Sequence, residues 1–298
     1  LVPGTEGWHS YLAGVIWALQ QAGHEVGGAE LVLTSDVPLG AGLSSSAAIE
    51  CAALAALADL YDLTIEPLER AKLARVAEND YVGAPTGLLG QAASALCQAE
   101  HALFLDCRTL ETEQVPLGVT AAGLEILVID TRTRHSHVDG EYAARRASCE
   151  KACEILGIPA LRDLTDLDAA LTRLPELEGR RVRHVVTENQ RVLDAKAALA
   201  VGDWAELGRL MTASHASMRD NYEITETSVD LAVATALASG ALGARMTGGG
   251  FGGCVLALVA SDQADAVGAA VTSAFAEAGL AEPVTFLARP AAGARRVA

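Results

Sequence analysis

The nine residues Pro38-Leu-Gly-Ala-Gly-Leu-Ser-Ser-Ser46 constrain this chain most, because they join a strand-like run (Ala29 to Ser35) to a long alanine-rich helical run. That junction is the architecture of a phosphate cradle. Gly40 and Gly42 let the backbone turn tightly and approach a ligand, and the following helix start aims unpaired N–H groups at an anion. Ser44, Ser45 and Ser46 add hydroxyls suited to capping the helix, binding a phosphate oxygen or ligating Mg²⁺. The stretch lacks the lysine of a Walker A loop and does not fit G-x-G-x-x-G, which weakens both the P-loop and the dinucleotide readings. Taken alone, it leaves a serine-capped helix after a glycine turn as an equal alternative.

With 298 residues, 51% of them hydrophobic, the chain can bury a large core, and its length suggests two domains. A formal charge of -16 repels nucleic acid and anionic membrane, so phosphate must be met by local amides and not by a basic face. No apolar run reaches a membrane span and no signal-peptide pattern is present, so a cytoplasmic location follows by default. The six cysteines make neither a disulfide framework nor a zinc pattern. Cys149 and Cys153, four apart on an expected helix, have no second pair beside them, and all six read as reduced thiols. His135 and His137 would share one face of a strand as a metal pair, but neighbouring Arg132 and Arg134 favour a polar loop or strand end. The opening residues up to Trp8 read as a linker entering a helix, and a segment before Leu1 is expected.

Periodicity predicts a helix over 8–21, the strand Ala29 to Ser35, and helices over 44–61 and 66–81. A Gly/Pro loop over 82–86 and a helix over 87–99 follow, then strands over 101–107 and 124–130. Beyond Gly140 the pattern is mainly helical, over 141–156, 182–201, 203–218 and 228–238. Strand patterns return at 244–247 and 254–259, then a helix over 262–279 and a last strand over 284–287. This order predicts an α+β chain with domains 1–118 and 119–298.

Thr247-Gly-Gly-Gly-Phe-Gly-Gly253 lies between two of those strands. A hairpin needs only two turn residues, and so many glycines carry an entropic cost, so close approach of backbone to a ligand is the preferred explanation.

Pro38 to Ser46 and Arg245-Met-Thr-Gly-Gly-Gly-Phe-Gly-Gly-Cys254 resemble the second and third signatures of the GHMP small-molecule kinases. Glu78-Asn-Asp-Tyr-Val-Gly-Ala-Pro-Thr-Gly-Leu-Leu-Gly-Gln91, His101 to Thr112, Arg134 to Tyr142 and Leu207 to Glu223 narrow the resemblance to their galactokinase branch. It covers essentially the whole chain. It implies a ribosomal S5 domain 2-like amino-terminal domain, incomplete here, a ferredoxin-like carboxy-terminal domain, and a site between them. The implied reaction moves the ATP γ-phosphoryl to the C1 hydroxyl of α-D-galactose. Carried over by position, Gly40, Gly42, Ser44, Ser45 and Ser46 hold the triphosphate, and Ser45 with Glu78 serves Mg²⁺. Trp8 matches an aromatic beside the adenine, while Gly87 and Tyr142 match sugar contacts. Read without the resemblance, Glu78 is a solvated helix-end carboxylate, Tyr142 a packed ring and Trp8 a core anchor.

Two departures stand out. The family's first signature, Gly-Arg-x-Asn-Leu-Ile-Gly-Glu-His-x-Asp-Tyr, with its phosphoryl-transfer arginine and sugar-holding side chains, is absent from these residues. Where the family reads Gly-Ile-Met-Asp-Gln, this chain reads Gly87-Leu-Leu-Gly-Gln91, so Gly90 stands at the position of the catalytic base. Loss of a general base costs roughly 10² to 10⁴ in rate, and neither Asp80 nor Asp106 is an evident substitute. Three readings remain: an active or impaired galactose kinase, a silent nucleotide- or sugar-binding sensor, and another GHMP sugar kinase.

Overall fold

The computed structural model describes residues 1–4, 6–133 and 138–297. Two compact units emerge, one of residues 1–117 with 290–298, the other of residues 118–289. Residues 290–298, placed in the second domain by the sequence reading, belong to the first unit. There Gly293 and Ala294 donate their N–H groups to the carbonyls of Cys97 and Ser94, each at 2.7 Å.

In the first unit, α1 (His9–Gln21), α2 (Ser45–Leu60), α3 (Pro67–Val76) and α4 (Leu89–Leu96) precede a hairpin of β1 (His101–Leu105) and β2 (Thr112–Pro116). Val15, Leu19, Leu54, Leu57 and Leu73 recur at helical spacing and form one core. Helix α3 starts as its sequence dictates, with Pro67 at the first position and Glu69 in the first turn. It does not run on to Tyr81, because Ala77–Val82 is a π-helical turn closed by Gly83 at φ 87°.

The expected strand Ala29 to Ser35 is a correction: those residues are irregular and belong to no ladder. An alternating pattern supplies one side of a ladder and no partner, and Val32 is 98% exposed.

The second unit holds an antiparallel sheet in the order β4 (Gly243–Met246), β5 (Cys254–Ala260), β3 (Leu124–Asp130), β6 (Val284–Ala288). Central β3 and β5 are almost continuously buried. Helices α9 (Thr227–Ala238) and α10 (Ala264–Glu277) contribute Val229, Val233, Val267, Val271 and Phe275 to its core. Helices α5 (Val138–Leu156), α6 (Leu167–Leu171), α7 (Glu176–Val201) and α8 (Trp204–Ser217) complete the unit, with a second π turn at Met218–Tyr222. Among the described residues no helix is long and apolar enough to cross a membrane.

Candidate active site

The cradle lies ahead of α2. Gly40, Gly42 and Ser44 have φ of 67°, 76° and 54°, so every second residue is left-handed. Such alternation turns backbone N–H groups toward one concavity, the form of an anion nest. A left-handed serine costs about 1–2 kcal/mol relative to the right-handed form, strain of the kind that accumulates at functional sites. Ser44 occupies the N-cap position but makes no capping side-chain bond, which sets aside the serine-capped-helix alternative. The first N–H bonded to its carbonyl is that of Ala48, at 3.0 Å. The N–H groups of Ser45, Ser46 and Ala47 therefore have no partner within the helix, and the positive end of its dipole lies at the cradle.

Glu78 sits in the π turn Ala77–Val82 and is only 3% exposed, so it is not the solvated carboxylate of the plain reading. Its Oε2 accepts from Thr86 Oγ1 at 2.7 Å and from Gln91 Nε2 at 2.5 Å. Asn79 exchanges two further bonds with the Thr86 backbone, each 3.1 Å, tying the 83–88 loop back onto the turn. The Gln91 amide also donates to Glu50 Oε2 at 3.2 Å. Glu50 lies on α2, has no exposed surface, and its Oε1 has no hydrogen-bond partner. Burial, with Glu78 nearby adding to it, pushes the Glu50 carboxyl up to about 9 against the opposing Gln91 bond, so it is neutral at pH 7. Sequence reasoning missed both Glu50 and Gln91. The available signal was a lone acid inside the apolar run Ala47 to Leu57.

Gly90 lies in the first turn of α4 beside the cradle: a Cβ placed there would meet Ser44 Oγ at 2.9 Å and Ala47 Cβ at 3.1 Å. Ser44, Gly90, Gln91, Glu78 and Glu50 thus form one connected group. Asp106 is no replacement base, because its Oδ1 already accepts the N–H groups of Arg108 and Thr109 at 2.8 and 3.0 Å in a turn. Gly87 lies exposed in the same loop with open space around it. Trp8 is 63% exposed ahead of α1, which excludes the core-anchor reading. Tyr142, on α5 in the second unit, is 38% exposed, more open than a packed ring.

The late glycine loop also belongs to the second unit, and here the preference for ligand approach is corrected at two positions. A Cβ at Gly250 would lie 2.7 Å from Ile224 Cβ, and one at Gly252 would lie 2.6 Å from the Thr133 carbonyl oxygen. Both also have positive φ, so the protein's own packing requires glycine there. Gly249 has open space around it and Gly248 is exposed, so only this tip remains open to a ligand.

Cys149 and Cys153 line an open groove of about 880 Å³ with Leu161 and Val185, and burial raises both thiols. His135 and His137 lie outside the described residues. Among the described residues no group of three or more His, Cys, Asp or Glu could hold a metal.

Residues 10–98 match the GHMP kinases N terminal domain and residues 195–277 the GHMP kinases C terminal domain. Together with the two-unit α+β fold and the glycine cradle, these matches make the chain a GHMP kinase. The galactokinase of Streptomyces coelicolor is 53% identical over 100% of this chain and 78% of that protein. That of Mycobacterium tuberculosis H37Rv is 49% identical over 98% of this chain and 81% of its own. The crystal structure of Lactococcus lactis galactokinase complexed with galactose superimposes with a TM-score of 0.92, at 35% identity, covering 97% of this chain and 77% of that one. The chain belongs to the galactokinase family.

Proposed function

We propose that this chain transfers the γ-phosphoryl group of ATP to the C1 hydroxyl of α-D-galactose, giving galactose 1-phosphate. Family membership supports the reaction class, and the galactose carried by the Lactococcus lactis structure supports the sugar. The observation that carries the reading is the connected group of Ser44, Gly90, Gln91 and Glu78, which sets an anion cradle beside a buried acid.

In this reading the amides around Gly40 and Gly42 and the hydroxyls of Ser44, Ser45 and Ser46 hold the triphosphate. Trp8 stacks on the adenine, Gly87 and Tyr142 meet the sugar, and residues 1–118 form the ATP-binding domain. Magnesium suits the donor set, since it takes hard oxygen ligands, one or two from protein and the rest from phosphate and water. Glu78 and Ser45 would hold it, and when bound it neutralises charge on the phosphate oxygens. Glycine at position 90 offers no carboxylate to take the sugar proton. Phosphoryl transfer rests mainly on positioning and charge stabilisation, so loss of the base by itself slows turnover without abolishing it.

Gly90 also favours a second reading, in which the chain binds nucleotide and sugar without turnover. Galactose-dependent ADP formation, with hexose phosphate followed by mass spectrometry, separates the two. Sugar phosphate that forms only with galactose and ATP supports the kinase. Binding of both ligands by calorimetry with no product supports the silent binder, and failure to bind Mg-ATP at millimolar concentration overturns both.

A further inference from the structure

We propose that Gln91 is the positioning residue for the metal-binding carboxyl of Glu78, and that Glu50 is the anchor that fixes Gln91. The proposal rests on the reading of Glu78 as a magnesium ligand given above.

An amide nitrogen carries two N–H groups, and those of Gln91 are divided between two carboxyls from different elements: Glu78 at 2.5 Å and Glu50 at 3.2 Å. Gln91 is 1% exposed, and its backbone carbonyl accepts the Cys51 thiol at 3.6 Å. Both ends of the residue are therefore held by α2, the helix whose start forms the cradle. Among the described residues, the side-chain donors to Glu78, Gln91 and Thr86, both reach Oε2. Two donors on one oxygen fix the plane of the carboxylate and leave Oε1 to take a cation. Glu50 carries no role in the reaction, yet it is buried beside Glu78 with Oε1 unpartnered. A buried acid with an unpaired oxygen costs stability, and the hydrogen bond that Glu50 does make is to Gln91. Outer groups of this kind hold a metal ligand in its binding orientation, and their loss weakens metal affinity without removing a ligand.

The test titrates Mn²⁺, followed by its electron paramagnetic resonance signal, into protein saturated with a non-hydrolysable ATP analogue. Analogue affinity is measured separately in EDTA. Gln91→Met keeps length and removes both donors; it should raise the Mn²⁺ Kd about tenfold or more, with metal-free analogue affinity held within about twofold. Glu50→Gln keeps an acceptor oxygen for Gln91 and should bind Mn²⁺ like the unmodified protein, whereas Glu50→Leu should weaken it. Unchanged Mn²⁺ affinity in Gln91→Met, alongside a loss in Glu78→Gln, overturns the positioning role and leaves the metal site standing. Unchanged affinity in Glu78→Gln overturns the metal site and the proposal with it. If Gln91→Met does not fold, Glu50→Leu decides: Mn²⁺ binding equal to that of the unmodified protein overturns the proposal.

Discussion

The hydroxyl oxygen of Ser44 lies 2.9 Å from the point where a Cβ on Gly90 would stand. That oxygen is the free end of a short side chain and can rotate, while Ser44 Cβ at 3.0 Å and Ala47 Cβ at 3.1 Å need give only slightly. Position 90 can therefore accept a side chain, and Gly90→Asp should fold. In protein that carries the family's first signature ahead of Leu1, it should raise galactose-dependent ADP formation by about 10²-fold or more, with a smaller change in ATP affinity, as a positioned base is regained. Gly90→Asn should not match it, because an amide cannot take the proton. Equal activity of Gly90→Asp and the unmodified protein in a coupled assay would show that another residue serves as base.

Trp8 has most of its surface in solvent and no share in the core of the first unit. Trp8→Ala should leave the melting temperature of the free protein almost unchanged, the stability shift staying within about 0.5 kcal/mol. It should raise the Kd of an ATP analogue by roughly two- to tenfold, the worth of one stacked ring. Calorimetric titration checks this, and unaltered nucleotide affinity would remove Trp8 from the adenine site.

Local signals made much of this legible. Pro67 opens α3, the alanine-rich run becomes α2, and the apolar run Leu124 to Asp130 becomes β3 with the bounds its sequence suggests. What escaped depends on distant partners. Ala29 to Ser35 carries a strand pattern, but pairing is a property of two strands. β2, whose residues read Thr-Glu-Gln-Val-Pro, buries only Val115 and shows no apolar alternation. The π turn holding Glu78 has the sequence pattern of an ordinary helix end, since a shift of hydrogen-bond partner by one residue leaves no compositional mark. Within the site, the cradle and Glu78 were visible as motifs. The bonds linking Glu78, Gln91 and Glu50 were not, because they join three elements.

His184 supplies a pH prediction. Its ring stacks on Tyr222 at 4.4 Å, and its Nδ1 lies 3.0 Å from Ser217 Oγ. Burial lowers its pKa from 6.5 to about 4; Glu188 opposes the shift, while Arg191 and Arg245 reinforce it. The native state thus binds fewer protons than the unfolded chain between these values. The stabilisation is present above pH 6.5 and is lost as pH falls through about 4. Urea midpoints measured from pH 7 to pH 4 should fall less steeply in His184→Phe, which keeps a stacked ring and cannot titrate. Identical slopes would mean that other groups carry the acid sensitivity.

Gly208 and Gly243 bring α8 and β4 together backbone to backbone. A Cβ on Gly208 would stand 2.3 Å from the Leu242 carbonyl oxygen, and one on Gly243 would stand 2.2 Å from that of Gly208. Neither obstacle is a side chain that can swing away, so helix and strand must separate to admit a methyl group. The better helix propensity of alanine, worth about 1 kcal/mol over glycine, opposes the clash and is too small to balance it. Gly208→Ala should destabilise the second unit by roughly 2–3 kcal/mol, the upper range for overpacking. Gly118→Ala, with open space at its Cβ, serves as the control and should shift stability by no more than about 0.5 kcal/mol. Chemical denaturation of both variants checks the contrast, and equal midpoints would show that α8 can slide on β4 at little cost.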